Sequence, residues 1–306
     1  MYWRVKMLKE KTAALDLKNW KAPELKEDMP HGDMPGDKIA IGDDHVNKAN
    51  KIFPLLIEEI RKNGSDKVVV SVFGGSGVGK SEIASLLTYY LQDAGIGAYV
   101  LSGDNYPYRI PLYNDAERLS IFRAAGLRGL VDAKLFNDEV KEVLFKLWAD
   151  ETDPDSAKAN EYPWLEVYQK AGRKALKGYL GTAKEQNYDE VNQIIDEFRK
   201  GNEKIYLKRM GRKEEERWYD EVDFSDKDVL VIEWTHGGNE NLKGIDIPIL
   251  LNSTPEETMA HRRLRARDGK VDSAFTTMVL SVEQEELDDR GRFAKIRISK
   301  AGEIME

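Results

Sequence analysis

Cysteine is absent from this sequence, and histidine is scarce. The 306 residues contain no cysteine and only four histidines, at positions 31, 45, 236 and 261. The absence of cysteine excludes disulfide bonds, thiolate catalysis and zinc sites built on thiolates. The wide separation of the histidines along the chain disfavours a metal site built from imidazoles.

Long apolar segments and an excess of positive charge are also lacking. No stretch approaches the ~20 apolar residues that a membrane-spanning helix needs, and the first twenty residues are too charged for a signal peptide. The 47 basic and 55 acidic residues give a net charge of −8, which disfavours non-specific binding to nucleic acid. We therefore expect a cytoplasmic protein that acts without nucleic acid or membrane.

A glycine-rich segment at 74–81 is the most specific motif present. The apolar run VVVSVF at 68–73 predicts a buried strand, GGSGVGKS follows it, and a helical pattern comes next. The spacing G-x-x-x-x-G-K-S between a strand and a helix is that of a P-loop, which binds the phosphates of a nucleoside triphosphate. Lys80 is expected to reach the β- and γ-phosphates, and the Ser81 hydroxyl to hold Mg²⁺. The predicted nucleotide-binding residues are Gly74, Gly75, Ser76, Gly77, Val78, Gly79, Lys80, Ser81 and Glu82.

A second candidate site follows the next predicted strand, at 98–101. The chain continues SGDNYPYR, which puts Asp104 at the carboxyl end of a strand, where open α/β sheets bind ligands. Phosphoryl transfer to a hydroxyl needs a carboxylate that orients the hydroxyl and accepts its proton. We predict that Asp104 has this role, binds the acceptor and contributes to the metal site; the alternative is a polar turn without function. The other predicted acceptor contacts here are Tyr106, Tyr108 and Arg109.

A third acidic candidate ends the predicted strand at 228–233. Its sequence, DVLVIE, terminates in Glu233, which resembles the acidic residue that ends a Walker B-type strand and holds Mg²⁺. We predict Glu233 as a metal ligand and as part of the acceptor site. The alternative is a strand that simply ends in a charged residue.

Four arginines occupy positions 262, 263, 265 and 267, on a helix that Pro255 is well placed to begin. They cannot all share one helix face. Either they form a solvated basic face, or some belong to a lid whose guanidiniums bind and stabilise the transferring phosphoryl group. We favour the lid, with Arg263 and Arg267 as catalytic candidates and Arg263 also as a nucleotide contact.

The sequence divides into two parts by pattern. Residues 1–64 are predicted to be an N-terminal extension followed by a helix at 44–62 that packs on the core, with Pro54 marking a break or a new first turn. Residues 65–306 are predicted to be the P-loop domain. Within it, 115–185 is highly charged and helical in pattern, which indicates a helical insertion.

Five segments, taken in order, resemble the phosphoribulokinase/uridine kinase family of P-loop kinases. They are GGSGVGKS, GDNYPYR, NYDEVNQIIDEFRKGNEKIYL, VLVIE and HRRLRARD. The likeness covers about residues 65–112 and 186–300. It implies a three-layer α/β sandwich with a five-stranded parallel sheet, Asp104 as catalytic base, Glu233 beside Mg²⁺, and a lid that contains the arginines. Trp234 stands where the family usually has glycine, which predicts a reshaped acceptor pocket.

These patterns together predict an ATP-dependent small-molecule kinase. It would transfer the γ-phosphate of ATP, with Mg²⁺, to a hydroxyl of a nucleoside, a sugar or a sugar acid. The alternative is a P-loop regulator or nucleoside triphosphatase without a small-molecule acceptor. A GTPase is disfavoured because no Asn-Lys-x-Asp motif is present. The sequence leaves open whether the protein forms a homodimer.

Overall fold

The P-loop strand lies inside a mostly parallel sheet. The computed structural model describes residues 7–26, 28–36, 38–265 and 273–305. The strands are β1 Val68–Gly74, β2 Ala98–Ser102, β3 Lys204–Met210, β4 Arg217–Asp223, β5 Val229–Glu233, β6 Ile247–Leu251, β7 Ile296–Ile298 and β8 Ile304–Met305. Within the described residues, the main sheet has the order β2-β5-β1-β6-β7-β8. Its first five strands are parallel, as predicted, and the short β8 adds an antiparallel edge.

The strands β3 and β4 form a separate antiparallel pair. The second strand of this pair, at 217–223, was not predicted from the sequence. The partner strand, RWYDEVD, is polar and mostly exposed, so it lacks the apolar alternation that indicates a half-buried strand. The backbone hydrogen bonds to β3 hold this segment extended, although its side-chain pattern does not predict a strand.

The register of the central strands aligns their carboxyl ends. Val72 of β1 and Ser102 of β2 are both paired with Glu233 of β5. All residues of β1 are buried, as expected for a strand that is covered on both faces of a parallel sheet. The side chains that follow β1, β2 and β5 therefore emerge at one edge of the sheet.

Nine helices accompany these strands in the described residues. They are α1 Leu8–Ala13, α2 Asp43–Asn63, α3 Lys80–Asp93, α4 Pro111–Asp132, α5 Asp138–Ala149, α6 Leu165–Lys177, α7 Tyr188–Arg199, α8 Pro255–Arg265 and α9 Ala274–Gly291. The predicted break at Pro54 is wrong, because α2 continues through it. Phe53 and Leu56 are fully buried on either side of Pro54, and burial of this face outweighs the one backbone hydrogen bond that proline removes. Within the described ranges, no helix combines the length and the apolarity that crossing a bilayer requires.

The chain divides into two compact units. The first comprises Met1–Tyr106, Asn187–Ser253 and Leu287–Glu306, and contains both sheets. The second comprises Pro107–Gln186 and Thr254–Glu286, and is helical. The helices at 115–185, predicted as an insertion, thus form one unit with the arginine-bearing α8 and most of α9. Sequence analysis did not predict this grouping.

Glycine contacts bring α4 and α6 together within the second unit. A Cβ atom at Gly126 would lie 2.5 Å from the ring of Tyr168, and one at Gly172 would lie 2.5 Å from the ring of Phe122. Only glycine therefore allows this separation of the two helices. Arg118 of α4 also forms an ion pair, at 2.6 Å, with the buried Glu185 in the segment between α6 and α7.

The N-terminal segment of the first unit packs on α2 and α3. The ring of Trp20 lies 4.6 Å from that of Phe53 and 5.5 Å from that of Tyr90, centre to centre. Arg61 of α2 donates hydrogen bonds to the carbonyl oxygens of Thr12, at 2.6 Å, and Leu15, at 2.7 Å. An aromatic anchor and a guanidinium thus fix this segment to the first unit.

We expect Trp20→Ala to lower the free energy of unfolding by about 2 kcal/mol, because a partly buried aromatic side chain that packs on two rings is lost. Urea unfolding followed by circular dichroism measures the change. Leu25→Ala is the control, since Leu25 lies in the same segment with an exposed side chain. Equal stability of the two variants would contradict an anchoring role for Trp20.

Candidate active site

The P-loop has a backbone conformation that requires glycine at two positions. Gly74 ends β1 with a φ of +154°, and a Cβ atom there would lie 2.5 Å from the carbonyl oxygen of Leu251. Gly79 has a φ of +97°, and a Cβ atom there would lie 2.8 Å from the imidazole of His45. Both positions combine an unfavourable φ with a close neighbour, so the glycines of the motif are dictated by the geometry of the loop.

The phosphate-binding side chains follow directly on this loop. Helix α3 begins at Lys80, and the N–H of Ile83 donates to the carbonyl of Gly79 at 2.9 Å. The Lys80 ammonium lies over the loop and donates to the carbonyl oxygen of Gly75 at 3.1 Å. The loop, the lysine and a helix N-terminus together form an arrangement that suits bound phosphate. Glu82 is buried in the first turn of α3, which favours a supporting role over direct contact with a nucleotide.

The carboxylate of Glu233 joins the P-loop helix to the end of β2. Its side chain is only 3% exposed. One oxygen, Oε2, accepts a hydrogen bond from the Ser81 hydroxyl at 3.2 Å. The other, Oε1, accepts one from the Ser102 hydroxyl at 2.5 Å. Hydroxyl and carboxylate oxygens are the ligands that Mg²⁺ prefers, so Ser81 and Glu233 fit the predicted magnesium site.

Asp104 lies on a short turn beside this carboxylate. The turn is a single 3₁₀ turn, Gly103–Asn105, that directly follows β2. Asp104 is exposed, whereas Gly103 and Asn105 are buried. Since Ser102 directly precedes the turn and donates to Glu233, only Gly103 and Ser102 separate the candidate base from the candidate metal ligand along this path.

Trp234, the departure from the family pattern, packs beneath this turn. A Cβ atom at Gly103 would lie 2.0 Å from the Trp234 ring, so only glycine fits there. The indole is 1% exposed, and its ring centre lies 5.2 Å from that of Tyr188. Trp234 therefore supports the Asp104 turn from the core.

Sequence analysis missed Asp33, which binds the same turn from the N-terminal segment. Its Oδ1 accepts from the Ser102 N–H at 2.8 Å and from the Asn105 side-chain amide at 2.9 Å. Its Oδ2 accepts from the Tyr99 hydroxyl at 2.9 Å and from Arg209 Nη1 at 2.8 Å. Burial raises the pKa of the Asp33 carboxyl, and the Arg209 guanidinium opposes that shift. The only signal in the sequence is a Gly-Asp pair in a Pro- and Gly-rich segment, which equally predicts a linker.

The predicted acceptor contacts differ in their surroundings. Tyr106 is fully buried, its hydroxyl has no hydrogen-bond partner in the described part of the chain, and burial raises its pKa. These properties favour a supporting role over direct contact with an acceptor. Tyr108 and Arg109 belong to the second unit. Tyr108 is 44% exposed, and Arg109 donates to the Tyr179 hydroxyl at 3.0 Å.

Arg262 and Arg263 of α8 also belong to the second unit. Arg262 is buried and donates to the carbonyl of Pro255 at 2.8 Å and to the Thr258 hydroxyl at 2.5 Å. Its guanidinium thus stabilises α8 itself. Arg263 is exposed. Arg267 lies outside the described residues, so the lid remains a prediction.

Comparison with curated proteins finds a relative that is described as a kinase. The chain is 35% identical over 255 residues to the bifunctional alpha-galactosidase/sucrose kinase AgaSK of Mediterraneibacter gnavus. The match covers 82% of this chain but only 22% of the relative, so the chain spans less than a quarter of that protein. No protein-family model matches the chain. The resemblance to kinases that the sequence predicts is confirmed by this relative.

Two solved structures were also found to be similar. One is a possible uridine kinase from Bacillus stearothermophilus, with a TM-score of 0.44 and 13% identity, over 82% of this chain and 97% of that one. The other is assigned as a fructose transport system kinase from Silicibacter sp. TM1040, with a TM-score of 0.44 and 12% identity, over 81% and 95% of the two chains. At this level of similarity, neither bears on the activity of this chain.

We expect Gly79→Ala to weaken nucleotide binding at least tenfold and to cost more stability than Gly95→Ala. Both glycines have positive φ, +97° and +73°, but only Gly79 has a neighbour, the His45 ring, that a Cβ atom would strike. Gly95→Ala is therefore the matched control for strain alone, at about 1 kcal/mol. Calorimetric titration with ATP and urea unfolding measure the two effects. Equal losses in the two variants would contradict the steric argument.

Proposed function

We propose that this chain is an ATP-dependent kinase that transfers a phosphoryl group to a hydroxyl of a sugar. The observation that carries the proposal is the buried Glu233 carboxylate, which is hydrogen-bonded to Ser81 of the P-loop helix and to Ser102 beside the Asp104 turn. A P-loop needs such a carboxylate for Mg²⁺, and transfer to a hydroxyl needs a base within reach of the phosphate site. The 35% identity to a protein named as a sucrose kinase supports the same reaction class.

Each side chain has a distinct role in this proposal. ATP with Mg²⁺, when bound, supplies the phosphoryl group and neutralises part of its charge. The loop at 74–81 and Lys80 bind the phosphates, while Ser81 and Glu233 are the metal ligands. Asp104 orients the acceptor hydroxyl and accepts its proton. Its exposure, on a turn held by buried neighbours, suits a base that must meet an incoming substrate.

Sucrose is the first acceptor to test. The relative is named as a sucrose kinase, but this chain matches only 22% of it, so the acceptor is a proposal of its own. Tyr108 and Arg109 are proposed acceptor contacts, and Arg263 and Arg267 are proposed to close on the phosphates. A cytoplasmic location, where ATP is available, belongs to the same proposal.

We expect Asp104→Asn to reduce phosphorylation of sucrose by about a hundredfold or more, because general base catalysis contributes that much. ATP affinity should stay close to that of the wild type, since the P-loop is unchanged. A coupled assay of ADP release, with and without sucrose, measures transfer. Asp226→Asn is the matched control, because its side chain is 72% exposed and pairs with the adjacent Lys227.

Two results would contradict this assignment. Full activity of Asp104→Asn would remove Asp104 from the role of base. If the wild type binds ATP but phosphorylates neither sucrose nor other sugars, polyols, sugar acids or nucleosides, the kinase proposal fails. The regulator or nucleoside triphosphatase would then be the better description.

We expect Glu233→Gln to raise the Mg²⁺ concentration needed for half-maximal activity about tenfold, because an amide is a weaker ligand than a carboxylate. A titration of activity with MgCl₂ at fixed ATP measures this shift. Glu240→Gln serves as the control, since that side chain is 77% exposed. An unchanged magnesium dependence of Glu233→Gln would remove Glu233 from the metal site.

A further inference from the structure

We propose that Asp33 is a positioning residue that holds the Asp104 turn in place for catalysis. This inference rests on the proposed function, in which Asp104 is the base. Asp33 precedes the P-loop by about forty residues and lies outside the segments that resemble the kinase family.

One oxygen of Asp33 holds both ends of the turn. Oδ1 accepts from the Ser102 N–H, just before the turn, and from the Asn105 side chain, at its last residue. The two donors stand on either side of Gly103 and Asp104. Because Asp104 itself is exposed, the packing of its own side chain contributes little to its position. The backbone that carries Asp104 is held on both sides by these bonds, and Trp234 packs against it at Gly103.

The second oxygen connects the turn to the separate β3–β4 pair. Oδ2 accepts from Arg209, whose Nε also donates to Asp220 of β4 at 3.0 Å. Arg209 is buried, so removing its partner at Asp33 would leave a buried charge with weaker compensation. Asn105 reaches the same strand, since its Oδ1 accepts from the Met210 N–H at 2.9 Å. The turn is therefore linked to β3 twice, through Asp33 and Arg209 and through the bond between Asn105 and Met210.

The residue before Asp33 approaches the candidate metal ligand. A Cβ atom at Gly32 would lie 3.2 Å from Glu233 Oε1 and 3.6 Å from the Cβ of Ser102. Two consecutive residues of the N-terminal segment thus lie beside the site: Gly32, where a Cβ atom would crowd Glu233, and Asp33, which binds the turn that carries Asp104. A segment that only covered the core would need neither contact.

The test is Asp33→Asn, which keeps the size of the side chain. Its single amide oxygen can replace Oδ1 or Oδ2 but not both. The NH₂ group then faces donors, either Arg209 or the Ser102 N–H and the Asn105 amide, so the set of bonds cannot be rebuilt. We expect kcat for sucrose to fall by about tenfold to a hundredfold, because a small displacement of a catalytic group has effects of this size. The KM for ATP should stay close to that of the wild type.

Hydrogen–deuterium exchange gives a readout that does not depend on activity. In Asp33→Asn, the amides of 102–106 should exchange faster, while those of the P-loop helix should be unchanged. Asp16→Asn is the matched control, because Asp16 belongs to the same N-terminal segment and, among the described residues, its side chain accepts hydrogen bonds from its near neighbours Lys18 and Asn19. It should leave both kcat and exchange as in the wild type.

A milder variant, Tyr99→Phe, covers the case in which Asp33→Asn does not fold. It removes one donor to Oδ2 and leaves both bonds from Asp33 to the turn. We expect a loss in kcat smaller than that of Asp33→Asn and a detectable rise in exchange at 102–106.

The outcomes separate the two proposals. An unchanged kcat in Asp33→Asn, or a parallel loss of kcat, ATP affinity and global stability, would overturn the positioning role. If Asp33→Asn does not fold and Tyr99→Phe leaves both kcat and exchange unchanged, the role is overturned too. If the wild type phosphorylates no acceptor, the proposed function fails, and hydrogen–deuterium exchange alone decides whether Asp33 restrains the turn. Faster exchange at 102–106 in Asp33→Asn then supports the restraint, and unchanged exchange overturns it.

Discussion

The candidate site depends on one buried carboxylate with two hydroxyl donors. Glu233 could not be buried at the end of β5 without partners, because an uncompensated charge in the interior is costly. Ser81 and Ser102 supply those partners, and they come from the helix after β1 and from the end of β2. The parallel register that pairs Glu233 with Val72 and Ser102 makes this convergence possible. A slip of one residue would turn the carboxylate to the other face of the sheet.

Close approach of the backbone is the second constraint on this edge of the sheet. Gly79 lies against His45, Gly103 against Trp234, and Gly32 against Glu233. At each place the side chain that a larger residue would displace is itself buried and packed. The glycines therefore let the backbone approach these side chains closely, and their role is steric clearance as much as freedom of φ. Gly79 and Gly103 belong to segments that the sequence singles out, whereas Gly32 does not.

The sequence predicts those parts of the molecule that depend on local pattern. The apolar runs before Gly74, Ser102 and Glu233 predict three neighbouring strands, and the P-loop follows from the spacing of its glycines. The antiparallel partner β4 is not predictable from its polar sequence, and the continuity of α2 through Pro54 depends on burial. Asp33 is missed for a similar reason. Its bond to Arg209 joins residues 176 positions apart, and no periodicity carries information over that separation.

In our proposal, the residues for phosphate chemistry and several of those for acceptor binding belong to different units of the chain. The P-loop, Glu233, Asp104 and the Asp33 contacts all belong to the first unit. The proposed acceptor contacts Tyr108 and Arg109, and the arginines of α8, belong to the second. In our proposal, the first unit fixes the metal, the phosphates and the base by buried hydrogen bonds, which tolerate little change. Exposed positions of the second unit can then vary without disturbing those bonds. A kinase built in this way can change its acceptor while it keeps its chemistry.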